Sequence, residues 1–324
     1  MTSIGKFARA TIFAAAVTAL AVPAARADEI SVTHWGALMY GVPYAVAMDK
    51  GFFKKAGVDI TGILTSKGGG TTVRNVLAGG LPYGEVSLAA AIAAINQGMD
   101  IKIVNGGVQN VADAFWVTLP ASDVKTIKDL AGKKMAITSP KAVTDMLSIM
   151  LLEKNGMTIK DVERPALGSV SAGLSALENG AVQAAYISEP ILSARPNKYR
   201  VVVAAKDVLP KMMQTVGITT GEFIKKEPAK LKAIVAGRRM GVDFIYANPS
   251  ESATILAKAY NIDPKVAKSA VDYTAQAKYW GPGNFDIPGM NEMVRGLKIV
   301  GEVKGDIDWE KIVDRSFLPD DLKR

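Results

Sequence analysis

Eight residues, Thr65-Ser66-Lys67-Gly68-Gly69-Gly70-Thr71-Thr72, carry the clearest chemical potential in the chain. They join a strand-like run, Val58–Leu64, to a short helical run, Thr71–Gly79. Three consecutive glycines let a backbone approach another object closely. At the start of a helix, free N–H groups and the helix dipole attract anions. Lys67 adds a positive charge, and Thr71 or Thr72 is placed to cap the helix. The spacing lacks Gly-x-x-x-x-Gly-Lys-Ser/Thr, so this is not a nucleotide P-loop. The chemistry it suits is reversible capture of a small molecule, with this turn as one wall of the site. The turn is expected to be exposed, so Gly69→Val should remove binding and leave the fold largely intact.

Other chemistries lack parts. His34 is the single histidine and there is no cysteine. The usual transition-metal cluster and a thiol nucleophile therefore have no residues to form them. No Gly-x-Ser-x-Gly elbow and no paired-carboxylate arrangement for hydrolysis is present. Without a complete catalytic constellation, the chain is expected not to be an enzyme and to need no metal or cofactor.

The first 27 residues read as a leader. Lys6 and Arg9 precede an apolar stretch, Ala10–Ala21, too short to span a bilayer. Ala25-Arg26-Ala27 has the small-x-small form of a cleavage site, so the exported chain is expected to begin at Asp28, in the periplasm. The formal net charge is +8, but the basic residues are scattered as isolated pairs such as Lys54-Lys55 and Arg238-Arg239. No basic stripe with interleaved aromatics appears, which argues against nucleic acid. A positive average potential favours anionic solutes.

The elements that must position the turn alternate. Strand-like runs at Ile30–His34, Val58–Leu64, Tyr83–Ser87 and Ile101–Val104 are separated by helical stretches from Pro43 and over Leu88–Ile95. A second set follows, with strands over Phe115–Leu119, Met135–Thr138, Val182–Ile187 and Arg200–Val203. Ser139-Pro140 reads as a helix start, with Ser139 as cap and Val143, Leu147, Met150 and Leu151 on the buried face. Alternation at this spacing argues for parallel α/β sheets. From Pro228 the chain is helical, with Leu231, Ile234, Val235, Val242 and Ile245 on one face. Asn248-Pro249-Ser250-Glu251 looks like a capped start, with Glu251 three residues after Asn248. Ligands of open α/β sheets sit beyond the carboxyl ends of strands. The candidates are therefore Trp35, Met39, Lys67, Gly68, Gly69, Gly70, Thr71, Thr72, Ser87, Ser139, Thr144 and Glu189. Trp35, Tyr40, Tyr44, Trp116 and Tyr186 could instead line a slot for a flat ring.

The run Gly41–Ile60, with its Lys50-Gly51-Phe52-Phe53 and Gly57-Val58-Asp59 pieces, resembles solute-binding proteins of ABC transporters. It is similar to the nitrate, aliphatic-sulfonate and taurine group and to its thiamine-pyrimidine-precursor relatives. Ile127–Lys134, Asn248-Pro249 and, more weakly, Glu189-Pro190 share the likeness. The resemblance implies an α/β fold of two lobes joined by two crossovers, with a helical C-terminal part packed on the first lobe. It implies lobe one over 28–112 and 212–324, lobe two over 113–211, and Gln214–Thr219 as the return crossover. It also implies a monomer that holds solute between its lobes for a membrane permease and its ATPase. The expected solute is small and anionic, like a sulfonate, nitrate or taurine. The alternatives are an aromatic carboxylate, a thiamine pyrimidine precursor, or presentation of solute to a sensor. A related pyrimidine synthase uses a His, a Lys that holds pyridoxal phosphate and a Cys-rich motif. His34 stands at a comparable early position, but the absence of Cys speaks against that chemistry.

Overall fold

The computed structural model describes residues 28–323; the leader proposed over Met1–Ala27 lies outside the described residues. The first lobe begins with β1 (Asp28–Thr33), α1 (Val42–Asp49), α2 (Phe52–Ala56), β2 (Ile60–Ser66) and α3 (Gly69–Leu77). It continues with β3 (Gly84–Ser87), α4 (Leu88–Asn96) and β4 (Lys102–Gly106). The second set comprises β5 (Ala114–Thr118), β6 (Met135–Ala136), α5 (Val143–Lys154), α6 (Val170–Glu178), β7 (Ala184–Ser188) and β8 (Arg200–Ala204). The chain then returns through β9 (Thr215–Thr219). It ends in α7 (Gly221–Lys226), α8 (Pro228–Ala247), α9 (Pro249–Tyr260), α10 (Pro264–Gln276), α11 (Ile287–Ile299) and α12 (Trp309–Ile312).

Two sheets result, ordered β2-β1-β3-β9-β4 and β6-β7-β5-β8. They are mixed, not purely parallel as strand–helix alternation suggested. β1 runs parallel to β2 and β3, whereas β9 is antiparallel to β3 and β4. The reason is connectivity. β4 leaves the first lobe at its carboxyl end, and the chain re-enters at that same edge, so the strand it forms must run backwards. In the other sheet β5 is antiparallel to both β7 and β8.

The C-terminal helices cover the first lobe and also reach the second. Leu231, Ile234, Val235, Val242 and Ile245 of α8 are buried. Met290, Met293 and Leu297 of α11 join a core that includes Val86 and Leu88 of the first lobe and Leu147 and Met150 of α5. Gly296 permits that approach, since a Cβ there would lie 2.5 Å from Met146 Sδ. Tyr273 of α10 packs on Phe115 of β5, with ring centroids 5.5 Å apart.

Two helix starts differ from the sequence reading, and a third, placed where expected, lacks its side-chain cap. α3 begins at Gly69, so Thr71 and Thr72 lie inside its first turn and neither caps it. α5 begins at Val143, with Ala142 rather than Ser139 at the cap. The side chains of its own first turn hold the preceding loop, because Thr144 Oγ1 accepts from Thr138 N at 3.0 Å and Asp145 Oδ2 from Lys141 N at 2.8 Å. At α9 the Asn248 side chain makes no cap bond, and Glu251 pairs instead with Lys50 at 2.7 Å.

One polar pair lies beneath the first sheet. Glu85 and Arg238 are essentially unexposed, and Arg238 Nε donates to Glu85 Oε2 at 3.1 Å. Thr215 Oγ1 donates to Glu85 Oε1 at 2.6 Å, and Tyr44 donates to the other carboxylate oxygen. Arg238 Nη1 donates to Gly281 O at 2.9 Å. Breaking such a pair leaves a buried charge alone, so Arg238→Ala should cost about 3–5 kcal/mol. Replacing both partners, Glu85→Leu with Arg238→Met, should cost less than the sum of the two single changes. Urea unfolding checks this; a loss under about 1 kcal/mol for Arg238→Ala would mean the pair holds little.

Candidate functional site

The carboxyl ends of β1, β2 and β3 form one face of the first lobe. There the glycine turn is held from below by hydroxyl groups. Thr72 Oγ1 lies 2.6 Å from both Ser66 Oγ and Thr33 Oγ1, and Thr33 Oγ1 donates to Glu85 O at 2.9 Å. Thr72 is therefore buried and spent on structure. Above it Lys67 and Gly70 are exposed, and Thr71 Oγ1 accepts from Arg74 Nη2 at 2.9 Å. Gly68 sits in open space with extended backbone, φ 172°. Gly69 is the tight position, because a Cβ there would collide with Ala90 Cβ and come within 3.0 Å of Val86 Cγ2. The starts of α3 and α4 thus abut. This corrects the expectation that Gly69 stands in an open loop.

Ser87 caps α4, its Oγ accepting from Ala90 N at 3.3 Å. It also faces the second lobe: Ser87, Ala90, Lys141, Ala142, Val143 and Glu302 line one opening of about 230 Å3. Lys141 reaches across to Glu302 at 3.2 Å. Thr144 is buried at the base of that loop, 2.7 Å from Thr138 Oγ1, while Ser139 is exposed on its tip. Gly69, Ser87 and the Lys141–Thr144 segment are thus brought to one interlobe region.

Three candidates lie elsewhere. Met39 is fully buried, and its carbonyl accepts from Trp280 Nε1 at 2.8 Å. Trp35 turns outward, edge-on to Tyr260 at 5.1 Å, and lines a groove of about 380 Å3 with Ala45, Met48 and Ile255 between α1 and α9. Glu189 is 4% exposed and sits at the crossovers, its Oε2 accepting from Ser193 N at 3.2 Å and its backbone N donating to Asp113 O. Of the candidate flat-ring residues, Tyr44 and Trp116 are fully buried, and Tyr40 and Tyr186 remain partly exposed.

The crossovers hold groups that the sequence reading passed over. Asp113 is 1% exposed and accepts from Gln214 Nε2 at 2.6 Å. Gln214 in turn donates to Asn110 O at 2.8 Å and accepts from Tyr40 OH at 3.3 Å. Burial pushes the Asp113 carboxyl up to about 6, against the lowering effect of the bonds from Gln214 and Tyr279. Burial also raises Glu189, with Asp113 adding to it. His34 shifts the other way, lowered by burial. Arg238 was legible: it sits four residues after Ile234 and four before Val242, within the apolar stripe of α8. Asp113 carried no such signal.

Two outcomes follow from this geometry. Gly69→Ala should cost about 1–3 kcal/mol through overpacking against Ala90, while Gly68→Ala is tolerated. Equal thermal stability of the two variants would contradict the packing described. For Asp113, the folded-state value of about 6 stands above its ordinary 3.8. The folded protein thus holds an extra proton between those values, and the carboxyl's penalty is full above pH 6 and relieved as pH falls toward 4. Wild type should therefore gain melting temperature relative to Asp113→Asn between pH 7 and pH 5. His34 titrates in both proteins, so the gap reports Asp113 together with its repulsion of Glu189; a gap that stays flat would contradict the burial effect.

The comparisons with known proteins agree with this architecture. The family model described as NMT1/THI5 like matches residues 39–252. A chain of Brucella abortus (strain 2308), described as a candidate binding protein, is 28% identical over 226 residues, which cover 68% of this chain and 67% of that one. The periplasmic aliphatic sulphonate binding protein SsuA from Escherichia coli has the same fold, with a TM-score of 0.73 at 17% identity over 89% of this chain and 92% of that one. The desulfurization enzyme DSZB shares it too, with a TM-score of 0.68 at 11% identity over 90% and 97% of the two chains. The fold therefore serves binding proteins and at least one enzyme, and it alone decides no activity. Two α/β sheets, a re-entrant antiparallel strand and a family match over more than half of the sequence lead to one conclusion: this chain belongs to the NMT1/THI5-like family.

Proposed function

We propose that this chain is the extracytoplasmic solute-binding component of an ABC importer. It is exported through the leader at residues 1–27 and delivers its solute to a membrane permease and ATPase. Lobe one comprises 28–112 and 212–324, lobe two 113–211, and a small organic solute with an anionic group is held between them. The observation that carries this reading is the opening where the α4 start, Ser87 and Ala90, meets Lys141, Ala142 and Val143 of the second set, with Gly69 of α3 packed against Ala90 beside it. Backbone N–H groups at helix starts and the exposed Lys67 suit an anionic end. The family match and the likeness to a sulphonate-binding protein support the same reading. The turnover alternative has less support: among the described residues no group of three or more His, Cys, Asp or Glu could hold a metal ion.

The test is a thermal-shift screen of the exported form against sulfonates, nitrate, aromatic acids and pyrimidines. A true solute at 100 times its dissociation constant should add about 2.7 kcal/mol of stability. Lys67→Ala should weaken an anionic hit more than a neutral one, because only the charged contact is lost. Unchanged affinity for an anionic hit in Lys67→Ala would move the anionic end away from the glycine turn.

A further inference from the structure

We propose that an opening at the amino end of the first sheet seats the chain's own processed terminus: once the leader is removed, the Asp59 carboxylate holds the α-ammonium of Asp28. This rests on the export reading above and goes beyond it, since it gives processing a consequence for the folded protein.

The opening measures about 610 Å3 and lies between the start of β1, the turn from α2 into β2, and the start of α8. Asp28, Gly57, Asp59, Lys226, Glu227 and Lys230 are among its lining residues. It is at the opposite end of β1 and β2 from the glycine turn. β1 begins at Asp28 itself, and Asp28 N donates to Asp59 O at 3.0 Å. The register carries this on, with Asp28 paired to Ile60. The first residue of the exported chain is thus fixed in the sheet rather than carried on a tail. In the unprocessed chain that nitrogen is an amide with one N–H, which the bond to Asp59 O uses. A terminal ammonium brings two more donors and a positive charge to the same point.

The surroundings lack a well-placed cation for one of their acids. Lys230 is shared between two carboxylates, 3.1 Å from Asp28 Oδ2 and 2.7 Å from Glu227 Oε2. Asp59 Oδ1 is buried and has no hydrogen-bond partner among the described residues. Lys54 Nζ lies 3.4 Å from it, too far for a short charge-assisted bond, on a side chain that is 72% exposed. A buried carboxylate oxygen without a donor is costly. The Asp28 ammonium is the donor that the strand register already delivers to Asp59. Pairing raises the amine above its ordinary value of about 7.7. Its contribution to stability is therefore full below that value and lost as pH rises through the folded one.

The experiment expresses the full chain with its own leader and purifies the exported protein, with intact mass fixing its first residue. A second chain carries two glycines inserted between Ala27 and Asp28, which keep the ammonium but move it away from Asp59. Each is made with Asp59 and with Asp59→Asn, which keeps the backbone carbonyl and removes the charge. At pH 7 the wild type should melt about 2 °C or more above its glycine-extended form. The gap should close at pH 9.5 and be absent between the two Asp59→Asn proteins. Lys54, Lys226, Lys230, Asp28 and Glu227 are common to all four proteins, so the gap reports the amine. No gap at pH 7, a gap that persists at pH 9.5, or one that survives Asp59→Asn would overturn the proposal. If any of these occurs while the mass places Asp28 first, export stands and only the anchor falls. A first residue other than Asp28 in the wild type would overturn both the cleavage site and the anchor.

Discussion

The ion pair between Glu85 and Arg238 is the constraint from which the first lobe is arranged. A carboxylate in the middle of a buried strand must find a cation, and α8 supplies it from the one charged position of its apolar stripe. That requirement sets how α8 lies on the sheet. It also reaches both crossovers, because Thr215 donates to Glu85 while its hydroxyl accepts from Val108 N at 2.7 Å. The backbone of the outgoing crossover is drawn so close that a Cβ at Gly107 would come within 2.7 Å of Glu85 Oε1. A side chain there has no room, and glycine is the residue that fits. Tyr44 and Tyr83 complete the cluster at 2.8 Å from each other, and Tyr83 passes on to Asn105 of β4. Position 85 is two residues before the α4 cap, so the charged core lies directly beneath the glycine turn and its hydroxyl supports.

Against this charge-paired network the crossover acids differ, among the described residues, in having no cation. Asp113 and Glu189 are buried to a similar degree. The same chain has thus paired one buried carboxylate with a cation and left the other to neutral donors.

Much of this was legible in residue types and their spacing. The strands, α8 with its buried stripe and the two α/β sets follow from apolar periodicity punctuated by glycine and proline, while the return near Gln214–Thr219 came from the family resemblance. Ser87 and the Lys67–Gly70 turn were named from the rule that sites lie beyond strand ends, and the structure places them after β3 and β2. What escaped was non-local. The reversed direction of β9 depends on where the chain re-enters, and no local pattern encodes it. The α5 start was misplaced because Thr144 took the Thr138 N–H, and the α9 start, placed correctly, lost its capping box to the Lys50–Glu251 pair. Gly69 looked like freedom of backbone and proved to be a packing contact with Ala90, which only the third dimension shows. Asp113 precedes an apolar strand and looks like an ordinary loop acid, because its burial comes from both crossovers and from Tyr279, far along the chain.

The central claim is that the two lobes move together on a solute held between them. The chain has no cysteine, so two can be introduced without background. Spin labels at Lys55 of the first lobe and Asn179 of the second, both exposed, report the lobe arrangement through their pulsed-EPR distance distribution. The account predicts a broad distribution without ligand and a narrower one at a new distance when the best solute from the screen saturates the protein. An unchanged distribution at saturation would contradict it, and would make this a rigid molecule whose solute, if it has one, binds without closure.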